Sequence, residues 1–447
     1  MLKQILFAIV LLSNTVQSQT YVKGTLDPAK DYSWVVLYQL KGAKQLYIKN
    51  TTIENGEFSI DFPQNTPRGM YRLMYNQNNS GFIDFIYNNE SVELKFNPER
   101  PSKKVEFLIS EENKIYHKYM VESAKRQQQL DSLQLSFFKL KDENDKDIAS
   151  NLYTTYRNNF NEFQKQFEKD TEGKLANHFV KSNNKYYALN IIQSPQEYLN
   201  SEKQHYFDFL NFEDEELLNS TLLGEKVIGY VFYLNGSDDT QVQNGLYKNS
   251  VQEVLYKIES DSLKSEILTT LLYIFAQIEN TVLIDFVIDN FYNKLPEELK
   301  NTTIINEVQE KVKLAVGKIA PEITWVENGA TKTLSKLDIA EKYIVVFWST
   351  GCSHCLIEVP ELYEYTKDKS TIHVVSFALE NDDIDFKKYA AKHVKWTNIL
   401  GLKKWENTIA RSYEITNTPT YFILDKDKRI ISKPELIKDV KAFFEYR

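Results

Sequence analysis

Phe347-Trp348-Ser349-Thr350-Gly351-Cys352-Ser353-His354-Cys355 contains the only two cysteines in 447 residues. An apolar β-type run, Tyr343 to Trp348, leads into it. A helical pattern follows, with Leu356, Val359 and Tyr363 on one face and Pro360 in the third turn. The pattern predicts a strand, a short loop and a helix, with both sulfurs where the helix begins. Cysteines at i and i+3 there can close into a small disulfide ring or open to a dithiol. A helix N-terminus carries about +0.5 of an elementary charge and free N–H groups, which favour a thiolate on the first sulfur. Such placement lowers a thiol pKa from about 8.5 into the range of roughly 3.5–7.5. The thiolate is the species that attacks a disulfide.

Two other uses of the cysteines are weaker. A disulfide closing so short a ring removes little chain entropy, so a stabilising role explains little. Tetrahedral zinc needs four N/S ligands. His373 lies in an apolar strand pattern with His393 twenty residues further on, which matches no standard zinc module. No metal and no cofactor is expected.

Around the cysteines, Trp348, Cys352, Cys355, Glu358 and Pro360 spell Trp-x-x-x-Cys-x-x-Cys-x-x-Glu-x-Pro after an apolar strand. Thr418-Pro419-Thr420 stands before the apolar run Tyr421 to Leu424, and Ala320-Pro321-Glu322-Ile323 opens the region. In this order the three markers resemble the thioredoxin-fold thiol–disulfide oxidoreductases of the TlpA/ResA type, from about Gly317 to Arg447. The resemblance implies a cis peptide before Pro419, lying against the cysteine pair, and an X–Pro bond lowers the cost of that form to about 0.5–1 kcal/mol. It implies that Cys352 attacks a partner disulfide and that a more buried Cys355 resolves the mixed disulfide. Thr418-Pro419 would present backbone to the bound partner. Trp348 would shield the site, or serve as a core aromatic, or both.

The residues between the cysteines matter to direction. An imidazolium at His354, with the helix dipole, would stabilise the thiolate and make the pair more oxidising. Potentials within this fold run from about −270 to about −120 mV. Ser353-His354 pulls toward an oxidant or isomerase; Thr418 and the overall TlpA/ResA pattern pull toward a reductase and rest on more positions. Two departures bear on the proton path. Many thioredoxins have a buried Asp two residues before the motif Trp, and here that position is Val346. The TlpA/ResA type commonly has a basic residue after the second cysteine, and here it is Leu356. Glu358 is a weak substitute if it faces solvent.

Upstream, Lys3, the apolar core Ile5 to Leu12 and the small-residue site Val16-Gln17-Ser18 read as a secretory signal at residues 1–18, cleaved before Gln19. The core is too short to span a bilayer. The apolar run Leu271 to Ile288 carries Gln277, Glu279, Asn280 and Asp285, so no stable membrane insertion is expected. The product is expected to be exported and soluble in the periplasm. Net charge is −8, and loss of Lys3 with the signal makes it one unit more negative. With no basic patch, nucleic acid is not an expected partner.

Residues 19–109 read as β: Trp34 to Leu40, an Asn55-Gly56 hairpin turn, alternating Phe58, Ile60 and Phe62, then Met70 to Tyr75, Phe82 to Tyr87 and Val92, Leu94, Phe96. The pattern predicts a small antiparallel sandwich or barrel, and it resembles the β-rich domain of unknown function found ahead of thioredoxin domains in many exported bacterial proteins. Asn97-Pro98-Glu99-Arg100-Pro101 marks a turn at or near its end. From Ser110, an N-cap with Glu111 and Glu112 in the first turn, residues 110–316 read as a mostly helical region, broken near Gly173, Ser194-Pro195, Asn235-Gly236 and Pro296. Val251, Leu255 and Ile258 form one stripe. Ile267, Leu271, Ile274, Phe275 and Ile278 form another. Aromatics from Tyr153 to Tyr206 are packing residues or, for some, a client surface. His117, His178 and His205 have no neighbouring ligand types.

Residues 317–447 alternate: strand Tyr343 to Trp348, the cysteine helix, strand Ile372 to Leu379, helix Ile384 to Lys392, segment Thr397 to Leu400, helix Trp405 to Tyr413, strands Thr420 to Leu424 and Arg429 to Ser432, helix Pro434 to Tyr446. A central sheet covered on both faces is expected. The fold class is thus multidomain: an N-terminal β sandwich or barrel, a central all-α region and a C-terminal α/β thioredoxin fold. The expected partners are protein disulfide or dithiol clients and an electron donor. A binding or assembly protein that uses the thioredoxin domain as a docking platform, and an oxidase or isomerase, remain as alternatives. Oligomeric state is not specified, since no heptad run demands an assembly.

Overall fold

The computed structural model describes residues 20–29, 32–42, 44–76, 81–100 and 105–445. The expected signal segment at 1–18, Pro101 and Tyr446 lie outside them. Two compact units divide at residues 270 and 271. That division falls within a helix, Asp261–Gln277.

In the first unit, eight strands form two four-stranded sheets: β1 (Tyr21–Leu26), β2 (Trp34–Lys41), β3 (Lys44–Thr52), β4 (Glu57–Asp61), β5 (Gly69–Asn76), β6 (Gly81–Tyr87), β7 (Val92–Phe96) and β8 (Val105–Ile109). The sheet orders are β4-β1-β7-β8 and β3-β2-β5-β6. Period-two alternation aims Phe58 and Ile60, with Val35, Leu37, Leu73 and Phe85 of the other sheet, into one shared core, which makes the β region a sandwich.

Two details differ from the sequence expectation. The Asn55-Gly56 turn forms with φ of 54° and 82°, both positive as a type I′ turn requires. Its strands do not stay together, however: β3 pairs with β2 while β4 pairs with β1, so the turn hands the chain from one sheet to the other. The alternating half-buried pattern belongs to β4 alone, and β3 is largely exposed. The sandwich is also not purely antiparallel, because β1 and β7 run parallel. The intervening strands of the other sheet act as a crossover, which a tight hairpin cannot provide.

Ser110 caps the first helix by accepting from the Asn113 N–H at 3.1 Å. Helices α1 (Glu111–Phe137) and α2 (Glu143–Asp170) bury Leu130, Tyr153 and Phe160 with Tyr187 in one cluster. Most aromatics between Tyr153 and Phe179 are therefore core. Then come α3 (Ala176–Ser182), α4 (Pro195–His205), α5 (Glu215–Leu218), α6 (Leu222–Ile228), α7 (Thr240–Lys257) and α8 (Asp261–Gln277). A π-helical turn, Gly229–Tyr233, continues α6. Val251, Leu255 and Ile258 are buried as the stripe predicts. The second stripe ends early: Ile267, Leu271 and Phe275 are buried, but Ile278 lies beyond α8 and is exposed.

The second unit contains α9 (Thr281–Asn290), α10 (Thr302–Lys311), the small hairpin β9 (Thr324–Glu327) and β10 (Ala330–Thr333), and a five-stranded sheet. That sheet comprises β11 (Lys342–Trp348), β12 (Ile372–Glu380), β13 (Thr397–Leu402), β14 (Thr420–Asp425) and β15 (Ile430–Ser432), in the order β13-β12-β11-β14-β15. Strands β11, β12 and β13 are parallel, and β14 runs antiparallel to β11. Successive residues of β11 face opposite cores. Ile344, Val346 and Trp348 pack with α11 (Cys355–Thr366) and α14 (Ile437–Glu445). Tyr343, Val345 and Phe347 pack with Ala410 and Tyr413 on the other side. The central strand is buried on both faces, as its continuous apolar run requires. Helix α12 spans Ile384–Ala390. The expected helix from Trp405 to Tyr413 is divided into a 3-10 turn, Lys404–Glu406, and α13 (Thr408–Ser412). Asn407 divides them because its side chain accepts from the N–H groups of Ile409 and Ala410 and so caps a new helix.

Candidate active site

Strand β11 ends at Trp348, and after a loop of six residues α11 begins at Cys355. The loop between them is tied from several directions. Thr350 N–H donates to the carboxylate of Glu380, at the end of β12. Gly351 N–H donates to Ser349 Oγ at 3.3 Å, and Cys352 N–H to the Ser349 carbonyl at 3.2 Å. Leu356 N–H donates to the Cys352 carbonyl at 3.1 Å, so Cys352 stands just outside the first turn of α11. Cys355 opens that helix.

The two thiols are free and occupy different surroundings. Cys352 is half-buried and Cys355 is fully buried. The Cys352 Sγ receives the Cys355 N–H at 3.3 Å and donates to the Thr418 carbonyl at 3.3 Å. Burial alone would raise the Cys352 pKa. Hydrogen bonds from the Cys355 thiol, Thr418 and the N–H groups of Cys355 and His354 overcome it, and the net direction is down. For Cys355, burial and the bond to Cys352 push the thiol up to about 12. Neighbours in one turn are thus driven apart, one toward thiolate and the other toward thiol.

The sequence-predicted residues assemble around this pair. Thr418-Pro419 is a cis peptide, and its Thr418 carbonyl reaches Cys352. Trp348 is fully buried in the core that also holds Cys355, and its Nε1 donates to Ser376 Oγ at 2.8 Å. Ser353 and His354 are exposed. The His354 backbone N–H is among the groups that lower the Cys352 pKa, and the His354 side chain is exposed. Val346 is fully buried, so the position where many thioredoxins carry Asp is apolar here.

Glu358 does not simply face solvent. Its Oε2 accepts from the Tyr421 hydroxyl at 2.9 Å and from Ile437 N–H at 3.0 Å. Burial, the Glu358 contact and the charge of Cys355 all raise the Tyr421 pKa. Sequence reading missed Glu380, Ser376 and Tyr421 as supports. Each lies on a different strand from the motif it supports, and no local pattern marks it. The histidines also find partners distant or unmarked in sequence. His178 Nδ1 lies 2.6 Å from Asp214 and His205 Nδ1 2.7 Å from Asp208. His373 Nε2 lies 2.9 Å from Thr397 Oγ1, and His393 packs between Tyr363 and Trp396. Among the described residues, no group of three or more His, Cys, Asp or Glu side chains is placed to hold a metal ion.

Residues 341–430 match the Thioredoxin-like family, and residues 21–116 match a domain of unknown function (DUF4369). The C-terminal region is therefore a thioredoxin-like domain within a multidomain chain. Its relatives are ResA-type thiol–disulfide oxidoreductases. The chain is 26% identical over 136 residues to thiol-disulfide oxidoreductase ResA of Bacillus cereus, covering 28% of this chain and 72% of that protein. It is 27% identical over 129 residues to the ResA of Bacillus anthracis, again covering 28% and 72%. Among solved structures, the thioredoxin domain of a thiol-disulfide oxidoreductase from Bacteroides vulgatus is 28% identical, with a TM-score of 0.25, covering 29% of this chain and 98% of that one. The similarity to thiol–disulfide oxidoreductases thus spans little more than a quarter of the chain, its C-terminal thioredoxin-like domain. Among the described residues, no helix is long and apolar enough to cross a membrane.

Proposed function

We propose that the protein is exported to the periplasm and there reduces disulfides of other envelope proteins, with Cys352 as attacking thiolate and Cys355 as resolving thiol. The observation that carries the two roles is the opposed environment of the sulfurs, Cys352 half-exposed with its pKa lowered and Cys355 buried with its pKa raised, while the reducing direction rests on Thr418 and the TlpA/ResA pattern. In the first step the Cys352 thiolate attacks one sulfur of a client disulfide. That S–S bond breaks, a mixed disulfide forms, and the other client sulfur leaves as thiolate. In the second step Cys355 gives up its proton and attacks Cys352 Sγ. The mixed disulfide breaks, the client departs as a dithiol, and the pair is left oxidised. Two electrons have passed to the client, and a dithiol donor restores the pair.

The second step needs a base, since Cys355 holds its proton tightly. Glu358 with Tyr421 forms the protonatable pair in whose field Cys355 lies, and it supports a proton route in place of the absent Asp. Thr418-Pro419 presents backbone at the attacking sulfur, Ser353 and His354 form the exposed rim, and Trp348 walls the resolving one. The reading assigns the chemistry to residues 317–447. Export rests on Lys3, the apolar core Ile5 to Leu12 and Val16-Gln17-Ser18.

Two variants test it together. Cys352→Ser is expected to reduce a model protein disulfide no faster than solvent thiol. Cys355→Ser is expected to accumulate covalent mixed disulfides that dithiothreitol releases. A Cys352→Ser protein that turns over at the normal rate contradicts the assignment.

A further inference from the structure

Away from the cysteines, the helical part of the first unit encloses a cavity of about 240 Å³. Its walls come from α1, the segment after α3, α4 and α6, which contribute Met120, Tyr186, His205, Tyr206 and Lys226 among others. Met120, Ala124 and Tyr206 contribute apolar lining, and Tyr186 is stacked on His205 at 3.8 Å between ring centres.

Most polar groups lining the cavity are already engaged by the protein. Gln127 donates to Ser123 at 3.1 Å, and Asn183 to the Phe179 carbonyl at 2.9 Å. His205 is bound to Asp208. Lys185 is paired with two carboxylates, Asp131 at 2.8 Å and Glu202 at 3.2 Å. Lys226 also lines the cavity and differs: it makes no hydrogen bond or ion pair with a described residue. A lysine charge withdrawn from water without a counter-ion is disfavoured. Burial and the positive charge of Lys185 lower the Lys226 pKa, outweighing the opposing charge of Glu225.

The local backbone is built for this arrangement. Helix α6 carries Lys226 and runs directly into the π-helical turn that starts at Gly229. π-Helical turns occur frequently at functional sites. A Cβ at Gly229 would lie 2.2 Å from the Tyr206 hydroxyl, so only glycine lets the ring that walls the cavity sit there.

We infer that this cavity is a binding site for a small organic anion, a carboxylate on an apolar body, with Lys226 as its counter-charge and Met120, Ala124 and Tyr206 as its apolar wall. The carboxylate supplies the charged hydrogen-bond acceptor that Lys226 lacks. The apolar body covers the wall that polar groups leave bare.

Benzoate is the probe, with the full chain studied by titration calorimetry, and benzyl alcohol and inorganic phosphate as comparators. Saturable benzoate binding is expected, with benzyl alcohol and phosphate each binding more weakly. Lys226→Met is expected to weaken benzoate binding by about tenfold or more, the loss of one hydrogen bond to a charged group, while Lys226→Arg retains it. No saturable benzoate binding overturns the inference, as does benzyl alcohol or phosphate binding equally well. Unchanged affinity in a folded Lys226→Met protein also overturns it. If that variant does not fold, Lys226→Gln is read in its place, and the three-probe comparison on the unaltered protein decides independently.

Discussion

The cysteine turn and the Lys226 cavity both press ionisable groups against packed side chains, but they are assembled over different distances along the chain. Cys352 and Cys355 are three residues apart, and the Cys355 N–H that reaches Cys352 comes from the same turn. The cavity draws on α1, α4 and α6 and the segment after α3, from Met120 to Lys226. A short motif can set its own electrostatics because backbone donors are guaranteed by local geometry. A dispersed site exists only once helices have packed. The first kind can be read from sequence, and the second is invisible there.

The largest expected effect sharpens that contrast. Alkylation of the reduced pair, followed site by site by mass spectrometry, should show two widely separated titrations. Cys352 has its pKa lowered, so its thiolate fraction and its rate should saturate below the pH at which an ordinary thiol does. Cys355 is raised to about 12, so it should stay unreactive through neutral and mildly alkaline pH. Two cysteines titrating together near the ordinary thiol value would break the local account.

A smaller effect measures how far the turn depends on residues elsewhere. Ser376→Ala removes the partner of the buried Trp348 Nε1. Leaving that donor unsatisfied is expected to cost about 1–3 kcal/mol in urea unfolding followed by tryptophan fluorescence. The lowered titration of Cys352 should survive, because its hydrogen bonds come from the turn and from Thr418. If Ser376→Ala returned Cys352 to ordinary thiol behaviour, the lowered pKa would depend on more than the turn and Thr418.

Legibility followed the same division. The strand-to-helix step at Trp348 and Cys355, the Thr418-Pro419 step and the sheet covered on both faces all carry local signals: an apolar run, a change of period, a proline. The Asn55-Gly56 turn was equally plain, but what it connects was not, because turn chemistry specifies a bend and not which strand pairs beyond it. The break at Asn407 went unread because a capping side chain inside a helical pattern looks like any polar residue. Glu358 gave no sign of direction until β14 and the start of α14 supplied Tyr421 and Ile437. Glu380 and Ser376 sit on β12, and the reason for their identity lies on β11 and the loop after it.

The central proposal, a dithiol pair that gives electrons to clients, is tested most directly by its standard reduction potential. The full chain is equilibrated in redox buffers, and the reduced fraction is read by thiol-specific mass tagging. The account predicts a value toward the reducing end of the fold's range, near about −270 mV. A value near about −120 mV, where a pair takes electrons from its partners, would contradict it.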